Sequence, residues 1–242
     1  MCTVTYIPAD GKIFLTSNRD EKFWRETALP PQEYETAGGK IYFPKDTNAG
    51  GTWFAVHENG TVLVLLNGGF KFHHSTPPYR ASRGIILLDL IQSSSPFDYF
   101  RSISLDEIEP FTLVLWQDGE LFECRWDGEK KYAKQIDKSK PHIWSSVTLY
   151  DDDVAARRKG WFDSWLQEHS SFSQNDIIHF HQFTGDGDGE NDLAMNRDGI
   201  VFTVSITSVE MSEHNAQIAY LDLQNNKTYR QAVELKKELA GR

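Results

Sequence analysis

A chain of 242 residues with 39% hydrophobic and 13% aromatic content carries enough apolar surface for one large core and is no disordered polymer. Its formal net charge of -10, with no Lys/Arg run to offset it, repels phosphate backbones and anionic bilayers, so nucleic acid and membrane surfaces are not expected partners. The longest apolar run, "GIILLDLI", falls short of the ~20 residues of a membrane span, and no basic and apolar leader opens the chain, which places it in the cytoplasm as an expectation.

No repeat, low-complexity tract or linker divides the sequence, which predicts a single domain over residues 1–242. "CTVTYI" and "KIFLTS" flank the turn residues "PADG" and predict a hairpin. "TWFAVHE" and "TVLVLL" flank Asn59-Gly60 and predict a second. "YRASRGIILLDLIQ" has helical length and apolar spacing, and "SPFDYFRSI" begins with a Ser cap and a Pro at the first helical position. "FTLVLWQ", "ELFECRW" and "KYAKQI" form a meander around Asp-Gly turns. "DDVAARRKGWFDSWLQEH" and "SQNDIIHFHQF" predict a second helix pair, the latter capped by Ser173, before the closing strands "GIVFTVSIT", "QIAYLDL" and "KTYRQAVEL". Strands, helix pair, strands, helix pair, strands is an α+β order, best buried as two stacked sheets with helices outside.

Register turns this order into candidate geometry. A four-residue loop from Pro8 to Gly11 pairs Ile7 with Lys12, which sets Cys2 opposite Ser17 with Arg19 on the same face and Asn18 and Asp20 on the other. A two-residue Asn59-Gly60 loop sets Thr52 opposite Asn67, an amide that ends an apolar strand just before Gly68-Gly69. That amide is either a structural partner of Thr52 or a donor aimed at substrate.

Cys2 has a bland reading and a chemical one. A free cysteine is often a small buried hydrophobe, as Cys124 is expected to be between Phe122 and Trp126 on one strand face. If Met1 is trimmed, however, Cys2 carries an α-amine (pKa ~7.7 to 8.0) beside a thiol (~8.5), and nucleophile and base share one residue. Arg19 would favour the thiolate, Asp20 would hold the ammonium group, and Asn67 would donate to an oxyanion.

The stretches "MCTVTYIP", "SNRDEKFWRETALPP", "GGTWFAV", "VLLNGG" and "HFHQFTGDGDGENDLAMNRDGIVFTVSITSVEM" together resemble the NRDE family across nearly the whole chain. That resemblance implies a four-layer αββα fold of the N-terminal-nucleophile hydrolase type, akin to the choloylglycine hydrolases and penicillin acylases. It implies Cys2 as nucleophile, Arg19 and Asp20 as the Arg and Asp after the second strand, and Asn67 as the oxyanion donor. Asn18, Thr52 and Ser146 then stand as substrate-side residues, Ser146 where the acylases have a second Asn. The acylases' late-chain Arg has no counterpart in "TVSITSVEM".

Asp186, Asp188, Glu190 and Asp192 in "DGDGEND" have Asn191 and Arg197 where a calcium loop needs Gly and Glu. His179 and His181 lie two apart, and His73-His74 stands alone, so no metal and no cofactor is expected. Arg157, Arg158 and Lys159 read as a solvated helix face. Two functions follow: a hydrolase of linear amides or other acyl bonds acting on a small-molecule substrate, or a non-catalytic carrier of lipid, acyl-CoA or haem, as the family's eukaryotic links to Golgi organisation and lipid or haem handling imply. The sequence sets no oligomeric state.

Overall fold

The computed structural model describes residues 3–236; Cys2 lies outside the described residues. In chain order the elements are β1 (Thr3–Ala9), β2 (Lys12–Lys22), β3 (Leu29–Thr36), β4 (Gly39–Lys45), β5 (Phe54–His57), β6 (Val62–Asn67), α1 (Arg83–Ile91), α2 (Pro96–Ser102), β7 (Phe111–Gln117), β8 (Glu120–Trp126), β9 (Lys131–Ile136) and β10 (His142–Ser145). They continue with α3 (Asp152–Glu168), α4 (Gln174–Phe183), β11 (Asn196–Arg197), β12 (Val201–Met211), β13 (Asn215–Asp222) and β14 (Lys227–Glu234). One antiparallel sheet runs β10-β1-β2-β12-β13-β14 with β11 on β12, the other β3-β4-β5-β6-β7-β8-β9.

The sheets stack face to face. Tyr6 of β1 stacks on Trp116 of β7 with ring centroids 5.9 Å apart, and Trp144 Nε1 of β10 donates to Glu123 Oε2 of β8 at 2.7 Å. One core cluster runs from Val4, Leu15 and Val209 of the first sheet through Trp53, Leu65 and Leu113 of the second to Ile86, Leu90 and Phe100 of α1 and α2. A separate cluster joins Ile7 and Phe14 to Phe162, Ile177 and Phe180 of α3 and α4. The architecture is therefore α+β with four layers, αββα, as the element order and the family resemblance predict. Each helix begins on a side-chain cap: Ser82, Ser95 with Pro96 at the first position, Asp151, and Ser173 in a reciprocal capping box with Asp176.

Both hairpin registers differ from expectation, with different consequences. In β1–β2 the loop is only Asp10-Gly11, both at positive φ (+50° and +72°), so Val4 and not Cys2 lies opposite Ser17. Pro8 stays in the strand opposite Ile13; β10 pairs with Thr3–Tyr6 only, so β1 is an edge at Pro8 and a missing N–H is tolerated. The shift is two residues, which preserves every face. In β5–β6 the loop is the three residues Glu58-Asn59-Gly60, with Gly60 at φ +89° and Asn59 not at positive φ. His57 N–H donates to Thr61 O, Gly60 N–H returns to His57 O, and Phe54 pairs with Val64. This is a slip of one residue, and it exchanges the faces. Thr52 is not opposite Asn67; Leu65 N–H donates to the Trp53 carbonyl, and Trp53, Leu65 and Asn67 share a face.

β3 and β4 lie in a stretch from which alternation predicts nothing. β3 is an outer strand that carries Pro30-Pro31 and an irregular register between Leu29 and Gln32. Arg158 is a second correction: it is fully buried and not on a solvated helix face.

Candidate active site

The two sheets open at one end onto a cavity of about 140 Å3, lined by Arg19 and Glu21 at the end of β2, Arg25 beyond it, Asp46 after β4, and Thr52 and Trp53 before β5. Leu65 and Asn67 of β6, Arg83 and Gly84 at the start of α1, and Ala49 and Gly51 between β4 and β5 complete its lining. The structure thus brings together Arg19, Thr52 and Asn67 of the residues expected from sequence. It adds Glu21, Arg25, Asp46, Trp53 and Arg83, for which sequence patterning offered no signal beyond the proximity of the first two to Asn18–Asp20 and of Trp53 to the Gly-Gly-Thr segment.

Arg19 is held on two sides. Its guanidinium carbon lies 4.4 Å from the centroid of the Trp53 ring, and Nη2 donates to Asp46 Oδ2 at 2.7 Å. Arg25 Nη2 reaches the same oxygen at 3.0 Å, while Oδ1 of Asp46 accepts the Asn48 and Ala49 N–H groups in a tight turn. Burial pushes the Asp46 carboxyl up, but the Ala49 N–H, the Arg25 hydrogen bond and the Arg19 charge outweigh it and hold the group below its ordinary value. Asp46 is therefore an anion whose acceptor positions are taken. Burial lowers the pKa of Arg83, whose guanidinium sits 3.1 Å from Glu109 and donates to the Pro110 carbonyl.

Asn18 and Asp20 point the other way, as alternation requires. Asn18 donates to the His181 and Leu193 carbonyls and accepts from His181 Nδ1 at 2.6 Å, so its amide is consumed between β2 and α4. Asp20 accepts the Tyr150 hydroxyl at 2.9 Å and the Thr203 hydroxyl at 2.6 Å. The Tyr150 ring in turn lies 3.6 Å beneath the Arg158 guanidinium, which donates to Thr3 Oγ1 and to the carbonyls of Asn191 and Asp192. Asp20 is thus tied, through one phenol and one arginine, to the residue that follows Cys2.

Thr52 Oγ1 donates to the Pro44 carbonyl at 2.6 Å and accepts Phe54 N–H, so its hydroxyl shapes the strand entry. Ser146 donates to the backbone carbonyl of Asn67 at 2.9 Å and bonds Thr148. It therefore supports the Asn67 backbone. No group of three or more metal-binding side chains occurs among the described residues; Asp186 and Asp188 are bridged by Arg157 at 3.1 and 3.3 Å. No described helix is long and apolar enough to cross a membrane.

The family model described as transport and Golgi organisation 2 matches residues 1–225. Among solved structures, a mutant of conjugated bile acid hydrolase from Clostridium perfringens is similar over 100% of both chains at 12% identity and TM-score 0.58. A second variant of that enzyme is similar at 12% identity and TM-score 0.56 over 99% of this chain and 100% of its own. The N-acylethanolamine-hydrolyzing acid amidase ortholog from Caenorhabditis elegans is similar at 11% identity and TM-score 0.60, over 86% of this chain and 92% of its own. At such identities the likeness is one of fold, that of the N-terminal-nucleophile hydrolases. No curated protein matches the chain by sequence.

Proposed function

The chain belongs to the transport and Golgi organisation 2 family, and we propose that within it this protein is a cysteine hydrolase of acyl bonds, with linear amides as the first substrate class. After removal of Met1, the Cys2 thiol gives its proton to its own α-amine and its sulfur attacks the acyl carbonyl. The tetrahedral oxyanion accepts a hydrogen bond from the Asn67 carboxamide. Collapse breaks the carbon–nitrogen bond, the α-ammonium returns the proton to the leaving amine, and a thioester remains. Water adds to the thioester, the thiol is regenerated, and a carboxylic acid departs.

The observation that carries this reading is the convergence of Arg19 and Asn67, from the ends of β2 and β6, on one cavity at the end of the sandwich where β1 begins. The solved structures with this fold include a bile acid hydrolase and an acid amidase. Arg19, locked by Asp46 and Trp53, acts as a positioned cation, and Asp20, oriented by Tyr150 and Thr203, is the acid assigned to the α-ammonium group. A cavity of about 140 Å3 is below the ~300 Å3 at which ligand pockets usually begin, so it receives the reacting head of a molecule whose chain lies outside.

The second reading, a carrier of lipid, acyl-CoA or haem, is favoured by one observation: Ser146 spends its hydroxyl on the Asn67 backbone, leaving Asn67 as the one side-chain oxyanion donor expected from sequence that lines the cavity. Intact mass spectrometry separates the two. The hydrolase predicts a mass lacking Met1 and, on incubation with a panel of acyl amides, an acyl adduct on Cys2 that Cys2→Ala abolishes together with turnover. Retention of Met1 with no adduct, alongside haem or acyl-CoA binding that Cys2→Ala leaves unchanged, establishes the carrier instead.

A further inference from the structure

Two side chains that line the cavity carry buried N–H donors with no partner: the indole Nε1 of Trp53 and the guanidinium Nε of Arg25. Trp53 is only 3% exposed, so water does not satisfy its indole at the surface. A buried donor left unpaired forfeits its hydration without recompense, and native structures hold few of them. Both belong to residues that line one small cavity, the place where a ligand can bring an acceptor.

The nearby acids cannot serve. Asp46 already accepts from Arg19, Arg25 and the N–H groups of Asn48 and Ala49. The Oε2 of Glu21 stands 3.9 Å from Arg25 Nε, beyond hydrogen-bond reach. Arg83 is paired with Glu109 at 3.1 Å, whereas Arg19 and Arg25 share the single oxygen Asp46 Oδ2, and Glu21 stands 3.6 and 3.9 Å from them. Two guanidinium groups that share one carboxylate oxygen favour a ligand that brings anionic oxygens over one that brings a neutral carbonyl. A group with two or more anionic oxygens meets both needs.

We propose that Trp53 and Arg25 form an anion subsite that receives a carboxylate or phosphate group carried close to the scissile bond of the acyl substrate. The identity of that anion as part of a substrate rests on the hydrolase reading; its binding does not. The Trp53 indole supplies one directed donor, the Arg25 Nε a second, and the Arg19 guanidinium stacked on Trp53 supplies charge from behind. In this arrangement Trp53 and Arg25 determine specificity, while bond breaking stays with Cys2 and Asn67.

The test measures binding by titration calorimetry in a Cys2→Ala background, so that turnover does not interfere. Matched probes are N-decanoylglycine against N-decanoylglycinamide, and N-decanoyl-O-phosphoethanolamine against N-decanoylethanolamine. The anionic member of at least one pair is expected to bind about tenfold more tightly than its neutral match, the scale of one charge-assisted hydrogen bond; which pair shows it distinguishes carboxylate from phosphate. Trp53→Phe, which keeps the ring and loses the N–H, and Arg25→Gln are each expected to cut that preference severalfold while neutral probes bind as before. Equal binding of acid and neutral probes, no binding of any probe, or a preference that survives both substitutions overturns the subsite. Should Trp53→Phe not fold, Arg25→Gln reads the same ratio at a side chain that is 35% exposed. Anion preference without any Cys2 acylation in the unsubstituted protein sinks the hydrolase reading and leaves the subsite standing; turnover without anion preference does the reverse.

Discussion

His181 shows how a residue that reads as a poor metal ligand is committed to the fold. It is fully buried on α4, and its Nε2 lies 2.8 Å from Thr5 Oγ1 while Nδ1 lies 2.6 Å from Asn18 Oδ1. An amide oxygen only accepts, so Nδ1 carries the proton and Nε2 accepts from the threonine hydroxyl. Burial, aided by the Arg158 charge, lowers its pKa to about 3. Between pH ~6.5 and about 3 the unfolded chain binds a proton that the folded chain refuses. The contribution of His181 is therefore complete above the unfolded pKa and is lost progressively as pH falls toward the folded one, a few kcal/mol at the limit. Urea unfolding at pH 7 and pH 5 checks this: the drop in midpoint on acidification is expected to be smaller in His181→Gln than in the unsubstituted protein. An identical drop in both would remove His181 from the account. Sequence alone showed only a histidine at the wrong spacing for a metal, because its partners Thr5 and Asn18 lie 176 and 163 residues away.

At the scale of elements, what the sequence predicts is decided by turn chemistry. Caps and turn residues are local signals, so the starts of α2 and α4 and the hairpin partners are legible. Loop length is decided by fine competition. Asp10-Gly11 adopts positive φ at both residues and closes in two, whereas Asn59 uses its Oδ1 to accept Thr61 N–H and the loop closes in three. That one residue moves Trp53 to the cavity face and leaves Thr52 facing backbone, so the subsite donor was illegible although "GGTW" was conspicuous. The glycines of this segment have their own reason. A Cβ on Gly51 would sit 2.5 Å from the Gly84 carbonyl carbon, and one on Gly84 would sit 2.8 Å from the Thr52 carbonyl oxygen, backbone against backbone. The first turn of α1 thus crosses the segment leading into β5 in direct contact. Gly84→Ala is expected to destabilise by roughly 1 to 3 kcal/mol and to weaken ligand binding at the cavity it lines. Gly160→Ala, inside α3 with open space around it, is expected to stabilise by up to about 1 kcal/mol. Thermal melts of the two variants should move in opposite directions; a neutral Gly84→Ala would show that the crossing has slack.

At the scale of the whole molecule, the four layers decide the chemistry of Cys124, and the proposed reaction sets it against Cys2. Cys124 of β8 has no exposed surface and belongs to the core cluster that runs from the sheets to α1 and α2. Burial, with a smaller contribution from Glu123, pushes its thiol pKa up to about 12. A thiol so placed is no nucleophile at neutral pH, and a reagent reaches it only when the sandwich opens. Because that core is continuous across both sheets, the opening required is close to global unfolding. Cys2, the nucleophile of the proposed reaction, is expected to react in the native protein at a rate set by its own ionisation. Alkylation with iodoacetamide at neutral pH, read by peptide mass mapping, should therefore label Cys2 first. Cys124 should be labelled only as denaturant is raised, with a free energy of opening that tracks the unfolding transition. Rapid labelling of Cys124 in native buffer, insensitive to denaturant, would mean that the layers open locally and that the cavity is not held by the rigid frame described for it.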